Sequence, residues 1–347
     1  MATLKEVARR ARVSAGTVSH VLNGNTPVSP ALRKRVQQAI VALDYHPDHV
    51  ARSLKTGRTK TVGIVIPDIA NPFFPQIIRG AESVLWGQDY SLLTFNTDDD
   101  LERERRALSF LRSRRADGVL LIVAPNKGDV SHIRRTVDAG IAVVCLDRAP
   151  EGLNEVDSVS VDDVAGAKEC VSHLVAMGHR DIAMLTGSLT LSNVRDRVKG
   201  YKEALREAGI PILQELILEG DFRKGTGTRL CHEAFAVRRG RPTALFISNM
   251  LMTLGALEAL TELGVRCPED VAVATFDGFS LPALFRPTIT AVVQPVYEIG
   301  RLGAEMLLQR LDSGAQSPPV HRKLVTELQV RESTQRALTG GRTIARS

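Results

Sequence analysis

The 347-residue chain contains few cysteines and no long apolar run. Its cysteines, Cys145, Cys170, Cys231 and Cys267, are far apart and form no CxxC pair, so we expect reduced thiols rather than disulfides or a zinc site. No apolar stretch approaches the roughly 20 residues that a membrane-spanning helix needs. The N-terminal residues are charged and lack the apolar core of a signal peptide. We therefore predict a cytoplasmic protein with no membrane partner.

The common catalytic motifs are also missing. The chain has no GxxxxGK[ST], HExxH or GxSxG segment, and Gly225-Thr226-Gly227 lacks the third glycine of a dinucleotide-binding fingerprint. His232-Glu233 lies within a helical pattern and is more typical of a surface or packing position than of a metal site. We therefore predict no catalytic residues, no metal and no cofactor. A dehydrogenase or kinase is one alternative. A periplasmic sugar-binding protein is another, although no signal peptide is evident.

The positive charge is concentrated in the N-terminal part of the chain. The first 60 residues contain eleven basic and three acidic side chains, a net charge of +8, whereas the remainder contains 34 basic and 36 acidic side chains, a net charge of −2. This asymmetry indicates a nucleic acid or another acidic surface as the partner of the N-terminal segment. The length predicts about two to three domains, because an ordinary domain has roughly 150 residues.

The basic segment has the pattern of three short helices. Thr3 and Glu6 form a capping box at the first helix, Ser14 is an N-cap candidate for the second, and Ser29-Pro30 begins the third. Two short helices joined by a tight turn, with a third to cover them, make a helix-turn-helix, whose second helix enters the major groove of DNA. The alternative is a three-helix bundle that binds protein or nothing, which the net charge disfavours.

Short apolar runs alternate with helical patterns from residue 61 onward, which is typical of parallel βαβ units. The predicted strands are Val62–Ile66, Ser91–Asn96, Gly118–Val123, Ala142–Leu146, Ser158–Val161, Ile182–Thr186, Glu215–Glu219, Ala244–Ile247, Val271–Thr275 and Ile289–Val293. The predicted helices include Pro75–Trp86, Leu101–Ser113, Asp163–Met177, Val194–Ala208, Gly225–Val237 and Leu251–Leu263. We expect two doubly wound lobes, with a ligand outside the carboxyl ends of the strands.

Polar and aromatic residues collect after these strands. They include Asp68, Asn71, Phe73, Phe74, Asp98, Asp147, Arg148, Asp162, Asp221, Phe222, Asn249 and Asp277, together with Asn193 and Arg197 on a later loop. Aromatic rings can stack on the apolar face of a sugar, while carboxylates, amides and arginine bind its hydroxyls. The set is therefore typical of a pocket for a polyhydroxylated ligand. The alternative is that the acids only cap the helices that follow.

Several stretches of the sequence resemble the LacI/GalR family of transcriptional regulators. They are TLKEVARRARVSAGTVSHVLNG, VSPALRKRVQQAI, LDYHPDHVARSLKTGRTKTVGIVIPDIANPFF and the later GHRDIA, RPTALF and PEDVAVATFD segments. The resemblance extends from Thr3 to about Thr334. It implies an N-terminal all-α helix-turn-helix head and a two-lobed, periplasmic-binding-protein-like doubly wound α/β body. An effector would bind between the lobes.

The resemblance also implies roles in DNA binding. The start of the second helix would face the major groove, and Val50–Leu54 would form a hinge helix in the minor groove. Leu54 would intercalate at the operator centre, where the cost of unstacking is offset by the surface that the bend brings into contact. The alternative for Leu54 is packing on its own domain. The implied DNA-binding residues are Thr3, Ser14, Ala15, Gly16, Thr17, Ser19, His20, Asn23, Val28, Ser29, Tyr45, Ala51, Arg52, Leu54 and Lys55.

Two of these residues limit direct readout of the operator. The side chains of Ala15 and Gly16 cannot hydrogen-bond to a base edge. Direct readout therefore falls on Thr17, Ser19 and His20, and indirect readout at the bent operator centre gains weight.

The effector-binding residues are implied in the same way. They are Asn71, Phe73, Phe74, Asp98, Asp147, Asp162, Asn193, Arg197, Phe222, Asn249 and Asp277. Two positions depart from the family pattern: Met250 stands where the family usually has Asp, and Leu191 replaces a frequently polar residue. We expect a slightly more apolar pocket than in the common sugar binders, with a sugar or sugar derivative as the effector.

The predicted protein is an effector-responsive repressor that binds double-stranded DNA. It is expected to be a homodimer, because a two-fold protein reads a pseudo-palindromic operator. Inducer and co-repressor both remain open as the role of the effector. The predicted domains are a helix-turn-helix at residues 1–46, a hinge helix and linker at 47–60, an effector-binding and dimerisation domain at 61–335 and a disordered tail at 336–347. The predicted lobes comprise about 61–160 plus 293–323, and 161–292 plus 324–335.

Overall fold

The computed structural model describes residues 2–23, 28–45, 57–148, 152–236, 241–278, 286–313 and 317–335. The chain divides into two compact units, Met1–Lys60 and Thr61–Ser347, referred to below as the head and the body. Within the described ranges, no helix combines the length and the apolar character needed to cross a bilayer. All four cysteines are free thiols.

The head contains three helices at the predicted places. They are α1 (Leu4–Ala11), α2 (Ala15–Asn23) and α3 (Pro30–Ala42). At the start of α1, the Glu6 carboxylate accepts the Thr3 N–H at 2.7 Å and the Thr3 hydroxyl accepts the Glu6 N–H at 3.3 Å. The Ser14 hydroxyl accepts the Thr17 N–H at 3.1 Å, and the Ser29 hydroxyl caps α3. Each cap satisfies a backbone donor that the first turn of a helix leaves free.

A small apolar core holds the three helices together. Its buried members are Val7, Ala8, Ala11, Val18, Val36, Ala39 and Tyr45. A polar contact adds to this packing, because the Arg35 guanidinium donates to the Ala11 carbonyl at the end of α1 at 2.6 Å. The head is therefore a helix-turn-helix whose second helix packs on the other two through apolar side chains.

The described part of the body contains twelve strands in two sheets. They are β1 (Thr61–Ile66), β2 (Ser91–Asn96), β3 (Gly118–Leu121), β4 (Ala142–Leu146), β5 (Asp157–Val161), β6 (Ile182–Thr186), β7 (Ile217–Glu219), β8 (Ala244–Ile247), β9 (Ala272–Phe276), β10 (Thr290–Val293), β11 (His321–Leu324) and β12 (Glu327–Gln329). The first sheet has the order β11-β5-β4-β3-β1-β2 and is parallel throughout. The second has the order β12-β10-β9-β8-β6-β7, and only β12 runs antiparallel.

Helices cover both sheets. They are α4 (Phe73–Leu85), α5 (Leu101–Ser113), α6 (Ser131–Asp138), α7 (Asp163–Ala176), α8 (Ser192–Glu207), α9 (Lys224–Ala236), α10 (Met250–Glu262) and α11 (Val296–Ser313). The first sheet with α4, α5, α6 and α11 forms lobe 1, and the second sheet with α7 to α10 forms lobe 2. The chain passes between the lobes after β5, after β10 and after β11. The carboxyl ends of the parallel strands in each lobe carry the loops that bind ligands in such folds.

The α/β fold class is confirmed, and the strands and helices predicted from the sequence are present with shifts of one or two residues at many ends. β2, β4, β6, β8 and α5 have the predicted bounds. The predicted strand Glu215–Glu219 is wrong at its start, where residues 214–216 form a 3-10 turn. Two helices, α6 and α11, and the strands β11 and β12 were not predicted. Both strands are short, partly exposed and polar, so their sequences carry little of the apolar signal that marks a buried strand.

Candidate functional site

A cavity of about 210 Å³ lies in the body where the carboxyl ends of the two sheets meet. Loops after β1, β2 and β4 line it from lobe 1, and loops after β7, β8 and β9, with the first turns of α8, line it from lobe 2. The carboxyl ends of parallel strands lie at one edge of a sheet, so these loops converge although they are far apart in sequence.

Asp147 and Arg148 directly follow β4 and form the buried floor of the lobe 1 side, with 4% of each side chain exposed. Arg148 donates to the Asp99 carboxylate at 2.6 Å and to the Val123 carbonyl at 3.1 Å. Asp147 Oδ2 accepts the side-chain amide of Asn193 at 3.3 Å across the cleft. Its other oxygen, Oδ1, is buried without a hydrogen-bond partner among the described residues. Burial raises the pKa of Asp147.

Arg197, on α8, is a buried cation on the lobe 2 side. Its Nε donates to Asp163 at 2.7 Å, and its Nη1 donates to the Ser248 carbonyl at 2.6 Å. The guanidinium carbon lies 3.8 Å from the centroid of the Phe276 ring, a distance at which a cation is attracted to the ring face. These three contacts fix the orientation of Arg197 toward the cavity.

Buried carboxylates interact with Arg197 and titrate at unusual pH. Burial raises the pKa of Asp163 to about 7 and that of Asp277 to about 6, although the charge of Arg197 opposes both shifts. Burial by itself would lower the pKa of Arg197, but the charges of Asp163, Asp277 and Asp147 raise it. Perturbed pKa values of several neighbouring groups are a feature of functional sites.

Gln294 contributes a further unsatisfied atom to the cavity. It directly follows β10, and its Nε2 donates a hydrogen bond to Asp277 Oδ1. Its Oε1 is buried without a partner, as is the Nε of Arg148, which lies 3.7 Å from the Asp147 carboxylate. Buried polar atoms in proteins nearly always have hydrogen-bond partners. Three unsatisfied atoms around one cavity therefore indicate a site for a polar ligand.

Phe222 takes a backbone conformation that aromatic residues rarely adopt, with φ at 66°. Its ring covers Gly187, where an added β-carbon would lie 2.6 Å from the ring. Asn249 supports this loop, because its Nδ2 donates to the Phe222 carbonyl and its Oδ1 accepts the Met252 N–H, each at 2.9 Å. Strained backbone clusters at ligand sites, and here it holds an aromatic ring at the cavity wall.

Ten of the eleven predicted effector-binding residues line this cavity. They are Asn71, Phe73, Phe74, Asp98, Asp147, Asn193, Arg197, Phe222, Asn249 and Asp277. Asp162 is the exception, because it does not line the cavity and its Oδ1 instead accepts the Ala165 N–H at 3.0 Å as the N-cap of α7. Capping was the alternative explanation for an acid after a strand, and it describes Asp162. Effector binding by the other ten stays a prediction.

Seven further residues line the cavity. Asp68, Arg148 and Asp221 belong to the polar set that follows the strands but not to the effector-binding residues that the family resemblance implies. Asp99, Arg223, Leu251 and Gln294 belong to neither set, and the position of Gln294 directly after a strand was an available signal. No sequence signal marks Arg223, whose guanidinium donates to the Asp98 carbonyl across the cleft at 3.1 Å.

The two residues that depart from the family pattern do not contact the cavity. Leu191 and Met250 are buried but do not line it. The lining includes six aspartates and three arginines. The expected shift toward a more apolar pocket is therefore not produced by these residues.

The head presents a mainly exposed, uncharged surface on α2. Ala15, Gly16 and His20 are exposed, while Thr17 and Ser19 are partly buried. α2 contains no lysine, arginine, aspartate or glutamate, so the basic charge of the described head lies on α1, α3 and the turns. A helix of this kind can approach base edges closely, whereas its neighbours supply the attraction to phosphates.

The other predicted DNA-binding residues have varied surroundings. Val28 is partly exposed, and the exposed hydroxyls of Thr3, Ser14 and Ser29 serve as helix caps. Tyr45 is 8% exposed and packs in the core of the head, and DNA binding by this residue stays a prediction. The side chain of Asn23, the segment with Ala51, Arg52, Leu54 and Lys55, and the predicted tail lie outside the described residues.

Both the head and the body match known protein families. The family described as "Bacterial regulatory proteins, lacI family" matches residues 3–48, and the "Periplasmic binding protein-like domain" matches residues 171–334. The HTH-type transcriptional repressor PurR of Aliivibrio fischeri is 35% identical over 313 residues, which cover 90% of this chain and 92% of that protein.

Solved structures match over the same extent. The lac repressor dimer bound to operator and the anti-inducer ONPF has a TM-score of 0.83 at 26% identity, and the match covers 96% of this chain and 99% of that one. The complex of the transcriptional regulator CelR with cellobiose has a TM-score of 0.72 at 33% identity, covering 96% and 100%. The chain thus belongs to the lacI family of bacterial regulatory proteins, whose members are transcriptional repressors and not enzymes.

Proposed function

We propose that this repressor binds a pseudo-palindromic operator and that a small molecule in the body cavity controls its operator affinity. The observation that carries the proposal is the division of chemistry between the two units. The head holds the helix-turn-helix and a net charge of +8 in the first 60 residues. The body holds a buried polar cavity at the carboxyl ends of its strands.

The effector is a sugar or sugar derivative, a ligand class that suits the polar and aromatic lining of the cavity. Phe74 and Phe222 offer apolar faces for a ring, and Asp147, Arg197 and Asp277 offer hydrogen bonds to hydroxyls. The structure of CelR with cellobiose supports a sugar by analogy.

A thermal-shift screen of the full chain against sugars, sugar acids, polyols and nucleobases tests the effector role. A ligand at a hundred times its Kd should add roughly 2.7 kcal/mol to the free energy of unfolding. Arg197→Ala should abolish the shift, whereas Arg229→Ala, on an exposed part of α9, should preserve it. A screen without any hit contradicts control by a small molecule and leaves operator binding to be judged separately.

Operator binding completes the test. The hit should change the Kd for operator DNA, and operator DNA should change the Kd for the hit by the same factor, because coupling between two sites is reciprocal. The direction of the change distinguishes an inducer from a co-repressor. A hit that binds tightly without any effect on operator affinity contradicts the proposal.

We infer that the active unit is a homodimer. The lac repressor in the matching structure is a dimer bound to operator. In this chain, Trp86 is 78% exposed and Leu93, on the edge strand β2, is 37% exposed, and we propose that both lie in the dimer interface. Leu93→Arg should therefore produce a monomer in sedimentation experiments and weaken operator binding. Val330→Arg, at a similarly exposed valine, is the control.

A further inference from the structure

We propose that the effector carries a cationic amine, so that it is an amino sugar or a similar polyhydroxylated ammonium ion. This inference rests on the proposed effector role of the cavity and makes its ligand more specific. The argument has three steps: the charge of the buried groups, the hydrogen bonds that they lack, and the kind of cation that fits.

The groups that line the cavity away from its rim include more carboxylates than cations. Three carboxylates, Asp99, Asp147 and Asp277, line it with two guanidinium groups, Arg148 and Arg197, so one negative charge has no counter-charge when all are ionised. Asp163, which holds Arg197 from outside the cavity, adds a further acid. Ionised groups taken out of water are costly unless a charge of the opposite sign compensates them.

The more exposed rim does not correct this surplus. Asp68, Asp98 and Asp221 line the rim together with Arg223, and Arg103 forms an ion pair with Asp98. A further acid, Asp196 on α8, acts on Asp163 in the same direction. The cavity therefore attracts cations at its mouth as well as at its floor.

The buried atoms without partners are mainly acceptors. Asp147 Oδ1 and Gln294 Oε1 are buried acceptors without hydrogen-bond donors among the described residues, and both residues are at most 5% exposed. Among the described residues that line the cavity, the one buried donor without a partner is Arg148 Nε, which lies beside the Asp147 carboxylate at 3.7 Å. A ligand that binds here must supply donors. Hydroxyl groups can do so, but an ammonium group has three donors and no acceptor.

The titration of the acids favours the ammonium group over hydroxyls. Burial raises the pKa of Asp147, raises that of Asp277 to about 6 and raises that of Asp163 to about 7. These shifts mean that the ionised carboxylates are disfavoured without a ligand. A bound cation would stabilise their ionised form, whereas a neutral sugar would supply hydrogen bonds without a compensating charge.

An organic cation fits the site better than a metal ion. Among the residues that the structure describes, no group of three or more His, Cys, Asp or Glu side chains is placed to hold a metal. The lining instead combines these acceptors with the aromatic residues Phe74 and Phe222. Rings beside acceptors suit a sugar ring that carries an amine.

Calorimetric titration of the full chain near pH 7 tests the proposal. The probes are glucosamine, galactosamine and mannosamine, each compared with its parent hexose and its N-acetyl derivative, and putrescine as an amine without a sugar ring. At least one hexosamine should bind with a Kd roughly tenfold or more below that of its parent, the effect of one pKa unit of differential interaction. A parent hexose or N-acetyl sugar that binds as tightly as its hexosamine overturns the proposal.

The remaining outcomes separate this proposal from the general effector role. Binding of a neutral sugar without binding of any amine keeps the effector role and overturns the amine. Binding of putrescine without binding of a hexosamine supports the ammonium site and overturns the sugar class. A panel in which nothing binds contradicts the amine proposal, and the broader ligand screen then decides the effector role by itself.

Two carboxylate variants and a pH series give a second readout. Hexosamine affinity should rise about tenfold between about pH 5.5 and pH 7, because the carboxylates must be ionised to bind a cation. Asp277→Asn should weaken hexosamine binding and flatten this rise, and Asp147→Asn provides the same test if the first variant is unstable. Asp138→Asn, at an exposed position of α6, should change neither the hexosamine affinity nor its rise with pH. Affinity that falls as the pH rises overturns the proposal.

Discussion

Asp163 shows how a residue outside the cavity can control one inside it. Its carboxylate holds the Nε of Arg197 at 2.7 Å, and it is itself 3% exposed. It is also the first residue of α7, directly after the segment where the chain passes from lobe 1 to lobe 2. A shift of Arg197 on ligand binding would therefore also displace Asp163, next to the segment where the chain enters lobe 2.

The raised pKa of Asp163 predicts a pH-dependent stability. The folded protein holds the proton of Asp163 up to about pH 7, whereas the unfolded chain releases it near the ordinary value of 3.8. The contribution of Asp163 to stability is therefore lost as the pH rises between these values. Between about pH 5 and pH 8, the wild type should lose on the order of 2 kcal/mol more free energy of unfolding than Asp163→Asn. Urea unfolding at several pH values measures the free energy of unfolding of both proteins. Equal decreases with pH in the wild type and Asp163→Asn would contradict the raised pKa of Asp163.

Replacement of His20 should lower the specificity of operator binding more than the affinity for DNA in general. It is exposed on the uncharged helix α2, where Ala15 and Gly16 cannot read bases through hydrogen bonds. His20→Ala should therefore lower the ratio of operator to random-DNA affinity by about 5- to 100-fold, the effect of losing about 1–3 kcal/mol of base contact. Fluorescence anisotropy on both DNAs gives the ratio. Equal losses on operator and random DNA would argue against base readout by His20.

At the scale of elements, close helix crossings depend on glycine. A β-carbon added at Gly300 of α11 would lie 1.9 Å from the Ile77 carbonyl oxygen, and one added at Gly80 of α4 would lie 2.0 Å from the Tyr297 carbonyl oxygen. These obstacles are backbone atoms, which cannot move aside as a flexible side chain can. The two glycines therefore set the distance between α4 and α11, the two helices that cover one face of the lobe 1 sheet.

Gly300→Ala should destabilise lobe 1. The clash must be relieved by separating α11 from α4, and overpacking of this kind typically costs about 1–3 kcal/mol. Gly87→Ala is the matched control, because a β-carbon there would meet no atom within 4 Å. Thermal unfolding of both variants gives the comparison. Equal melting temperatures for Gly300→Ala and the wild type would show that the crossing adjusts freely.

The elements that the sequence predicts well are those with a strong local signal. β4 and β8 are buried apolar runs, and α1, α2 and α3 each begin at a recognisable cap. β11 and β12 are found only in the tertiary structure, because each is held by pairing with a strand distant in sequence. Backbone pairing at a sheet edge does not require apolar side chains, so it leaves little trace in the sequence.

At the scale of the whole molecule, the two units should respond differently to salt. Each phosphate contact of the head releases counterions, so the logarithm of operator affinity should fall with the logarithm of salt concentration by about 0.9 per contact. Ligand binding in the body should respond less, because its charged groups are buried and weakly screened. Titrations of DNA and of ligand at several salt concentrations measure both slopes. Similar slopes for the two would contradict this division of charge.

The sequence by itself determined the family, the order of the units and most of the residues that line the cavity. Caps, alternating apolar runs and the charge of the first 60 residues are local or additive properties, so they can be read without coordinates. The same is true of polar residues at strand ends, because parallel strands bring their carboxyl ends to one edge.

Only the tertiary structure decided which of these residues act together. It separated Asp162, a helix cap, from the neighbouring Asp163, which holds Arg197. It buried Tyr45 in the head and brought Gln294 to Asp277. The charge surplus of the cavity also emerged only there, since it depends on which groups are buried side by side. Burial and distance in space set the strength of electrostatic interactions, and neither is encoded by spacing along the chain.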